Sequence, residues 1–292
     1  MSLDAPTKKW TEFASDELEG QYNPRATGVD VESYDKARAG TNEAGLGWSG
    51  RVADIAYGDG NLMDLDIYKP ADGAGPHPVH IYIHGGYWRA RKKENFGFIG
   101  AALAKRGLLT VVINYPLCPV VTLDAVVSGA RDAFAWTVKN ISDYGGDPAR
   151  ITVSGHSAGG HLGAAIIAED WAARGLTGDL LQGAVLISGV YDPTPTQHLR
   201  VNEEIGITAE LAERHDYATH QPKLRCPVHV IVGGAEPEGW IGQSADYARH
   251  IRDAGWNVTY KISDGDNHFS LQDQYLTEGS DILKAIDDVA GI

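Results

Sequence analysis

The 292-residue sequence contains only two cysteines, Cys118 and Cys226. Two cysteines so far apart cannot build the disulfide framework of a small secreted protein. Each precedes a proline, where a small buried apolar side chain is the expected role. No apolar run approaches the roughly 18 residues that span a bilayer, and the first ten residues include no hydrophobic signal segment. The sequence therefore predicts a protein of a reducing cytoplasm that does not enter the membrane.

Positive charge is also scarce. Lysine and arginine total 25 against 39 aspartates and glutamates, so the formal net charge is −14. Such a surface repels phosphates, which argues against nucleic acid or an anionic membrane as a partner. There is no Walker motif or dinucleotide fingerprint, and the spacing of His156 and His161 does not match that of known zinc-binding helices. We expect no cofactor and no metal. The oligomeric state stays open, a homodimer included.

Strand-like and helical segments alternate along most of the chain. Two strand-like runs at 52–57 and 62–68 flank a turn and predict a hairpin. Apolar residues at helical spacing fill the gaps between the later strands. A hairpin followed by this alternation predicts an α/β fold with a mostly parallel sheet of about eight strands and helices on both faces. The later strand candidates are 79–83, 108–114, 151–154, 184–188, 228–232 and 258–262, and a loop at 70–78 precedes them.

Two segments do not follow this alternation. Residues 1–49 are polar and glycine-rich, with helical fragments around 11–19 and 31–39, and predict an N-terminal arm that packs on the core. Residues 50–292 form the predicted α/β domain. Within it, residues 193–222 are polar and helical without a strand, which predicts a small lid insertion over the strand ends.

The stretch GHSAG at residues 155–159 predicts a nucleophile. It follows a β-branched run and precedes a small-residue helical stretch, which is the strand, sharp turn and helix of a nucleophile elbow. In that motif the serine hydroxyl is held above the sheet, and the glycines allow tight packing. Ser157 is therefore the candidate nucleophile, and the N–H of Ala158 is a candidate oxyanion donor.

A serine nucleophile needs a base, and in this motif the acid and then the base follow it in the chain. His268 lies in the turn-rich loop directly after the last predicted strand, which is the expected place for the base. The other downstream histidines lie on helices, inside a strand or in the lid: His161, His198, His215, His220, His229 and His250.

The acid is expected after the preceding strand, where the sequence GGAEPE contains no aspartate. Glu236 is the first carboxylate after the strand and is our candidate acid, and Glu238 is the alternative. Asp264 and Asp266 lie closer to His268 in sequence, but they are typical turn-forming residues.

A second glycine-containing loop, HGGYW at residues 84–88, follows the third strand. Such a loop can turn the N–H groups of Gly85 and Gly86 toward the serine. Aromatic residues crowd the same strand ends, which predicts a pocket that fits an aryl or apolar group. These candidate substrate-binding residues are Tyr87, Trp88, Tyr191, Trp240 and Phe269.

These motifs resemble the α/β-hydrolase superfamily, and within it the kynurenine formamidase-like (arylformamidase) branch near the hormone-sensitive-lipase esterases. The resemblance runs from about residue 18 to 270. The matching segments are LEGQYNPR at 18–25, HGGYW at 84–88, GHSAGGHL at 155–162, SGVYD at 188–192, QS at 243–244 and HF at 268–269.

The resemblance implies Ser157 as nucleophile, His268 as base, and Gly85, Gly86 and Ala158 as oxyanion donors. The family's acid is usually an aspartate in a Gly-x-x-Asp stretch, and Glu236 departs from that pattern. The resemblance also implies an aryl formamide such as N-formylkynurenine as a substrate.

The sequence thus predicts a serine hydrolase that cleaves a small ester or activated amide through an acyl-enzyme. Two alternatives stay open. One is a short-chain carboxylesterase without formamidase activity. The other is a non-catalytic ligand-binding homologue, which only the unusual Glu236 supports.

Overall fold

The structure is a computed structural model that describes residues 3–71 and 75–292. Residues 1–2 of the predicted arm and 72–74 of the predicted loop lie outside this range. Eight strands form one sheet in the order β1-β2-β4-β3-β5-β6-β7-β8. The strands are β1 Arg51–Ala56, β2 Asp64–Tyr68, β3 His77–Ile83, β4 Leu109–Ile113, β5 Gly146–His156, β6 Gly183–Ile187, β7 Val228–Gly233 and β8 Val258–Ser263.

The antiparallel hairpin β1–β2 joins β4 at one edge, and β3 to β8 pair in parallel. The predicted fold class and strand number are confirmed. β4 and β6 are buried along their whole length, as expected for parallel strands that are covered on both faces.

The helices are α1 Leu18–Tyr22, α2 Val31–Leu46, α3 Gly97–Lys105, α4 Leu123–Asn140, α5 Ala158–Ala168, α6 Asn202–Ile205, α7 Ala209–Arg214, α8 Glu238–Asp253 and α9 Asp281–Ala290. Because strand side chains alternate between faces, Val111 and Leu186 pack with α4, α5 and α8, while Val112 and Ile187 pack with α3 and α9. In the part of the chain that the structure describes, no helix is both long and apolar enough to cross a membrane.

The arm departs from its predicted helices. The fragment at 11–19 is wrong, since only a 3₁₀ turn at Trp10–Glu12 and the start of α1 are helical. The buried side chains of Phe13 and Leu18 lie five residues apart, which is not helical spacing, and they anchor the segment to the core. The second fragment exists but continues to Leu46.

The segment predicted as a lid contains a 3₁₀ turn at Thr194–His198 and the helices α6 and α7, without a strand. His215 ties it to the core, because its ring bonds Asp124 on α4 at 2.7 Å and its carbonyl accepts from His161 on α5 at 3.0 Å. Its function as a lid stays a prediction.

A buried ammonium joins the hairpin to the loop that leads into α3. Lys93 is fully buried and its Nζ lies 2.9 Å from Asp66 and 3.0 Å from Asp64, with Glu94 and Asp54 also in contact. Asp66 is itself fully buried, and its other ion pair is with Arg51 at 2.7 Å. Lys93 and Arg51 thus share the charge of the buried Asp66, and Lys93 also pairs with Asp64.

We expect Lys93→Met to lower the free energy of unfolding by about 3–5 kcal/mol, because Asp64 would lose its ion pair and the fully buried Asp66 would keep only Arg51. Asp54→Asn is the matched control. The Asp54 side chain is 75% exposed, so its loss should cost about 1 kcal/mol or less. Urea denaturation measures both values. Equal effects of the two substitutions would contradict this account of the cluster.

Candidate active site

Ser157 occupies the sharp turn between β5 and α5, with φ 58° and ψ −121°. Such a positive φ is unusual for a residue with a side chain and indicates a strained backbone at a functional position. A Cβ on Gly155 would lie 2.1 Å from the carbonyl oxygen of Gly159, and one on Gly159 would lie 2.0 Å from that of Ile83. The two glycines are therefore required for the turn, which has the geometry of a nucleophile elbow.

His268 lies in the loop after β8, and its Nδ1 lies 2.7 Å from Glu236 Oε2. A carboxylate accepts, so Nδ1 carries a proton, and in the neutral imidazole Nε2 is then the nitrogen with the lone pair. The imidazole is 6% exposed, and Trp240 packs edge-on against it at 4.8 Å. This environment fixes the ring in the tautomer that a general base needs.

Glu236 follows β7 and is held from both oxygens. Oε1 accepts from the backbone N–H of Gly233 at 2.8 Å and from the Ser188 hydroxyl, while Oε2 binds His268. The side chain is fully buried. The extra methylene of glutamate is accommodated because the backbone turns back at once, with Glu236 N–H donating to the Gly233 carbonyl.

The alternative carboxylates have other surroundings. Glu238 is exposed in the first turn of α8. Asp264 is exposed, and Asp266 binds the hydroxyls of Ser263 and Ser270 within the loop. Of the four carboxylates considered from the sequence, Glu236 is the one that contacts the imidazole.

Ser157 and His268 both line one cavity of about 590 Å³. Among the contacts of the described residues there is no hydrogen bond between the Ser157 hydroxyl and the His268 ring. In enzymes without substrate such bonds are often long and shorten when the substrate binds. The structure thus brings the candidate nucleophile and the candidate base to the same cavity.

The HGGYW loop lies directly against the elbow. A Cβ on Gly85 would be 3.0 Å from Ser157 Cβ, and Gly86 has φ +124°. Ala158 is the first residue of α5, so its N–H has no partner within the helix. The backbone of Gly85 and the N–H of Ala158 therefore lie next to the serine. Their role as an oxyanion hole stays a prediction.

His84 supports this loop rather than the chemistry. Its ring stacks between Tyr115 at 4.3 Å and Phe96 at 5.6 Å. Burial lowers the pKa of His84 to about 4, so the ring is neutral at physiological pH. The hydroxyl of Tyr115 donates to the His84 carbonyl at 2.7 Å, which anchors the loop backbone.

The aromatic pocket was predicted only in part. Tyr87 and Phe269 line the cavity, but Trp88, Tyr191 and Trp240 do not. These three are fully buried behind its wall, so their assignment as substrate-contacting residues is corrected. Each already contacts another part of the protein. The indole N–H of Trp88 donates to His161, the ring of Tyr191 stacks on Tyr247, and the indole N–H of Trp240 donates to the Ser188 carbonyl.

Sequence reasoning missed how much of the cavity α2 supplies. Val31, Tyr34, Arg38 and Asn42 line it. Arg38 also contacts the segment that follows His268, with its Nε 2.6 Å from Asp273 and its Nη2 2.5 Å from the Phe269 carbonyl. The signal was the recurrence of these residues at positions 31, 34, 38 and 42, which places them on one helix face.

His156 secures the same loop from the elbow. Its Nε2 donates to the His268 carbonyl at 2.8 Å, and its Nδ1 accepts from Gln272 at 3.1 Å. Burial, together with the nearby His268, holds the pKa of His156 well below its ordinary value. A neutral His156 is consistent with one donating and one accepting nitrogen.

We expect Arg38→Met to lower kcat about ten- to hundredfold, because small displacements of a catalytic group are costly. Methionine retains a long apolar stem, so packing is largely kept. Steady-state kinetics with a chromogenic ester measures the change. Lys36→Met, at an exposed site on the same helix, is the control. An Arg38 variant with undiminished kcat would show that the arm does not position the base.

Both cysteines are free and buried. Burial raises the pKa of the Cys118 thiol to about 11 and that of Cys226 to about 12. Thiols with such pKa values are poor nucleophiles at neutral pH, as expected from their sequence context.

Comparison with known proteins identifies relatives of this chain. The BD-FAE family model matches residues 65–181. The kynurenine formamidase of Salmo salar is 31% identical over 278 residues, with 91% of this chain and 93% of that protein covered. That of Danio rerio is 29% identical over 289 residues, covering 95% and 97%. The solved esterase of Pyrobaculum calidifontis has a TM-score of 0.68 at 20% identity, covering 98% of this chain and 97% of that one.

Proposed function

Because the chain belongs to the kynurenine formamidase-like branch of the α/β-hydrolases, we propose that it cleaves a small ester or activated amide through an acyl-enzyme on Ser157. That it is a hydrolase follows from the family. The observation that carries the serine mechanism is the bond between Glu236 and His268 Nδ1, which makes Nε2 the accepting nitrogen of the neutral ring, together with the cavity that His268 and Ser157 both line.

In the proposed first step, His268 Nε2 takes the proton of the Ser157 hydroxyl as Ser157 Oγ bonds to the substrate carbonyl carbon. The carbonyl electron pair moves to oxygen, and the N–H groups of Gly85, Gly86 and Ala158 stabilise the oxyanion. The imidazolium then protonates the leaving alcohol or amine as its bond to carbon breaks. Water repeats the sequence on the acyl-enzyme and releases the acid and the free serine.

Glu236 does not accept the proton in this scheme. Its carboxylate holds the imidazole in one tautomer and stabilises the imidazolium that forms. Two further donors, the Gly233 N–H and the Ser188 hydroxyl, bind the other carboxylate oxygen and hold the side chain in this orientation.

For the substrate we propose an aryl formamide of the N-formylkynurenine type or a short-chain aryl ester. Tyr87 and Phe269 on the cavity wall support an aryl group. We also propose a cytoplasmic location, which the two free thiols support.

A panel of para-nitrophenyl esters of increasing chain length and of aryl formamides tests this proposal. We expect turnover of short acyl groups. Cleavage of the formamides would favour the formamidase over the carboxylesterase alternative. Failure to hydrolyse any member would reject both substrate classes.

A further inference from the structure

The wall of the active-site cavity differs in charge from the rest of the molecule. The chain carries a formal net charge of −14, yet the wall bears four arginines and two carboxylates. The arginines are Arg25, Arg38, Arg89 and Arg91, and the carboxylates are Asp35 and Glu43. An acidic protein thus concentrates guanidinium groups where its substrate would bind.

Three of these arginines already have a carboxylate partner. Arg38 pairs with Asp273 at 2.6 Å, Arg89 with Glu204 at 2.7 Å, and Arg91 with Asp35 at 2.6 Å. Their charges are therefore balanced by the protein itself.

Arg25 is different. In the part of the chain that the structure describes, its guanidinium makes no ion pair and no hydrogen bond. Its backbone is nevertheless well fixed, because Pro24 is buried and the Asn23 side chain accepts from the Arg25 N–H at 3.1 Å. The backbone of Arg25 is therefore fixed, while its guanidinium has no partner among the described residues.

The surroundings of Arg25 disfavour its charge. Arg25 is exposed overall, yet desolvation by the surrounding protein lowers the pKa of its guanidinium, and the positive charges of Arg91 and Arg89 lower it further. Asp35 and Glu32 act in the opposite direction without cancelling these effects. Arginine stays protonated at neutral pH all the same, so an added anion would be stabilised there.

We propose that Arg25 binds a carboxylate of the substrate, so that the enzyme selects esters or amides bearing one negative charge. A single unpaired guanidinium matches a carboxylate, which it can bind through two parallel hydrogen bonds. Arg89 and Arg91 add to the positive field without being free to pair. The inference rests on the proposed function and deepens it by naming the charge of the substrate.

Binding can be measured without turnover in the Ser157→Ala background. The probes are meta-acetoxybenzoate and meta-acetoxybenzamide, which differ only by a carboxylate and its neutral amide isostere. We expect the carboxylate to bind about tenfold more tightly, and we expect Arg25→Gln to abolish that difference. Calorimetry at low ionic strength gives both dissociation constants.

Arg252→Gln is the matched control for the loss of one positive charge. Arg252 is a surface residue of α8, paired with Asp253 and Asp4, and does not line the cavity. We expect this variant to retain the tenfold preference. If it lost the preference as Arg25→Gln does, the cause would be overall charge and the inference would be wrong.

A turnover assay completes the test. It uses probes that carry the negative charge either on the leaving group or on the acyl group of the substrate. In the enzyme with Ser157 intact, the two acetoxy probes place the charge on the leaving group. The para-nitrophenyl monoester of adipic acid and its amide place it on the acyl group. We expect at least one pair to show an anionic preference in kcat/KM that Arg25→Gln removes.

The two proposals fail in different ways. Hydrolysis of the neutral probes with equal binding and turnover of the anionic ones would overturn the role of Arg25 and leave the serine mechanism standing. Preferential binding of the carboxylate that Arg25→Gln abolishes, without any hydrolysis, would support Arg25 and reject the proposed function, whereas a preference that persists in Arg25→Gln would overturn the role of Arg25.

Discussion

Ser157→Ala should lower kcat/KM for a para-nitrophenyl ester by about 10⁴-fold or more, with little change in KM. In the proposed mechanism the substitution removes the atom that would form the acyl-enzyme, while the proposed oxyanion donors and the cavity are left in place. Rates are measured under steady-state conditions, and circular dichroism checks that the fold is retained.

Ser244→Ala is the matched control. This serine is buried in α8, outside the cavity wall, and its hydroxyl has no hydrogen-bond partner among the described residues. We expect activity within about twofold of the parent, since its replacement removes neither a contact nor a donor that the site uses. Similar activity of the Ser157 variant and the parent would exclude the acyl-enzyme mechanism.

Glu236→Gln should lower kcat by about 10³–10⁴-fold. The replacement is nearly isosteric, but a neutral amide neither stabilises the imidazolium nor enforces the tautomer with the proton on Nδ1. Since Glu236 lies behind the imidazole and does not line the cavity, KM should change much less than kcat.

Glu238→Gln distinguishes between the two carboxylates that the sequence left as candidates. Glu238 is exposed and contacts neither His268 nor Ser188 in the described structure, so we expect its replacement to change kcat by less than about threefold. A large loss at Glu238 with a small loss at Glu236 would reverse the assignment of the acid.

The strands and the elbow were predictable because their signals are local. β-branched runs bounded by turn residues mark β3 to β8. Gly155 is required by a contact of 2.1 Å with Gly159 inside the turn, and Gly159 by one of 2.0 Å with Ile83 at the end of β3. The order of acid and base along the chain then pointed to Glu236 and His268. The structure adds the bond between them.

The pocket wall was less predictable because side-chain direction is decided by tertiary packing. Trp240 and Tyr191 follow strand ends as pocket residues do, yet one supports the His268 ring and the other stacks on Tyr247. The role of the arm was missed for a related reason. A polar helix such as α2 has a weak apolar stripe, and the contacts of Arg38 with a loop more than 230 residues away leave no local pattern.

The most direct test of the central claim is labelling with a fluorophosphonate followed by intact-mass analysis and peptide mapping. Such reagents bond to a serine only when a neighbouring base activates it. We expect one adduct per chain, on Ser157, with its formation slowed strongly by Glu236→Gln. Failure to label, or an adduct on a different residue, would mean that Ser157, His268 and Glu236 do not form a working catalytic unit.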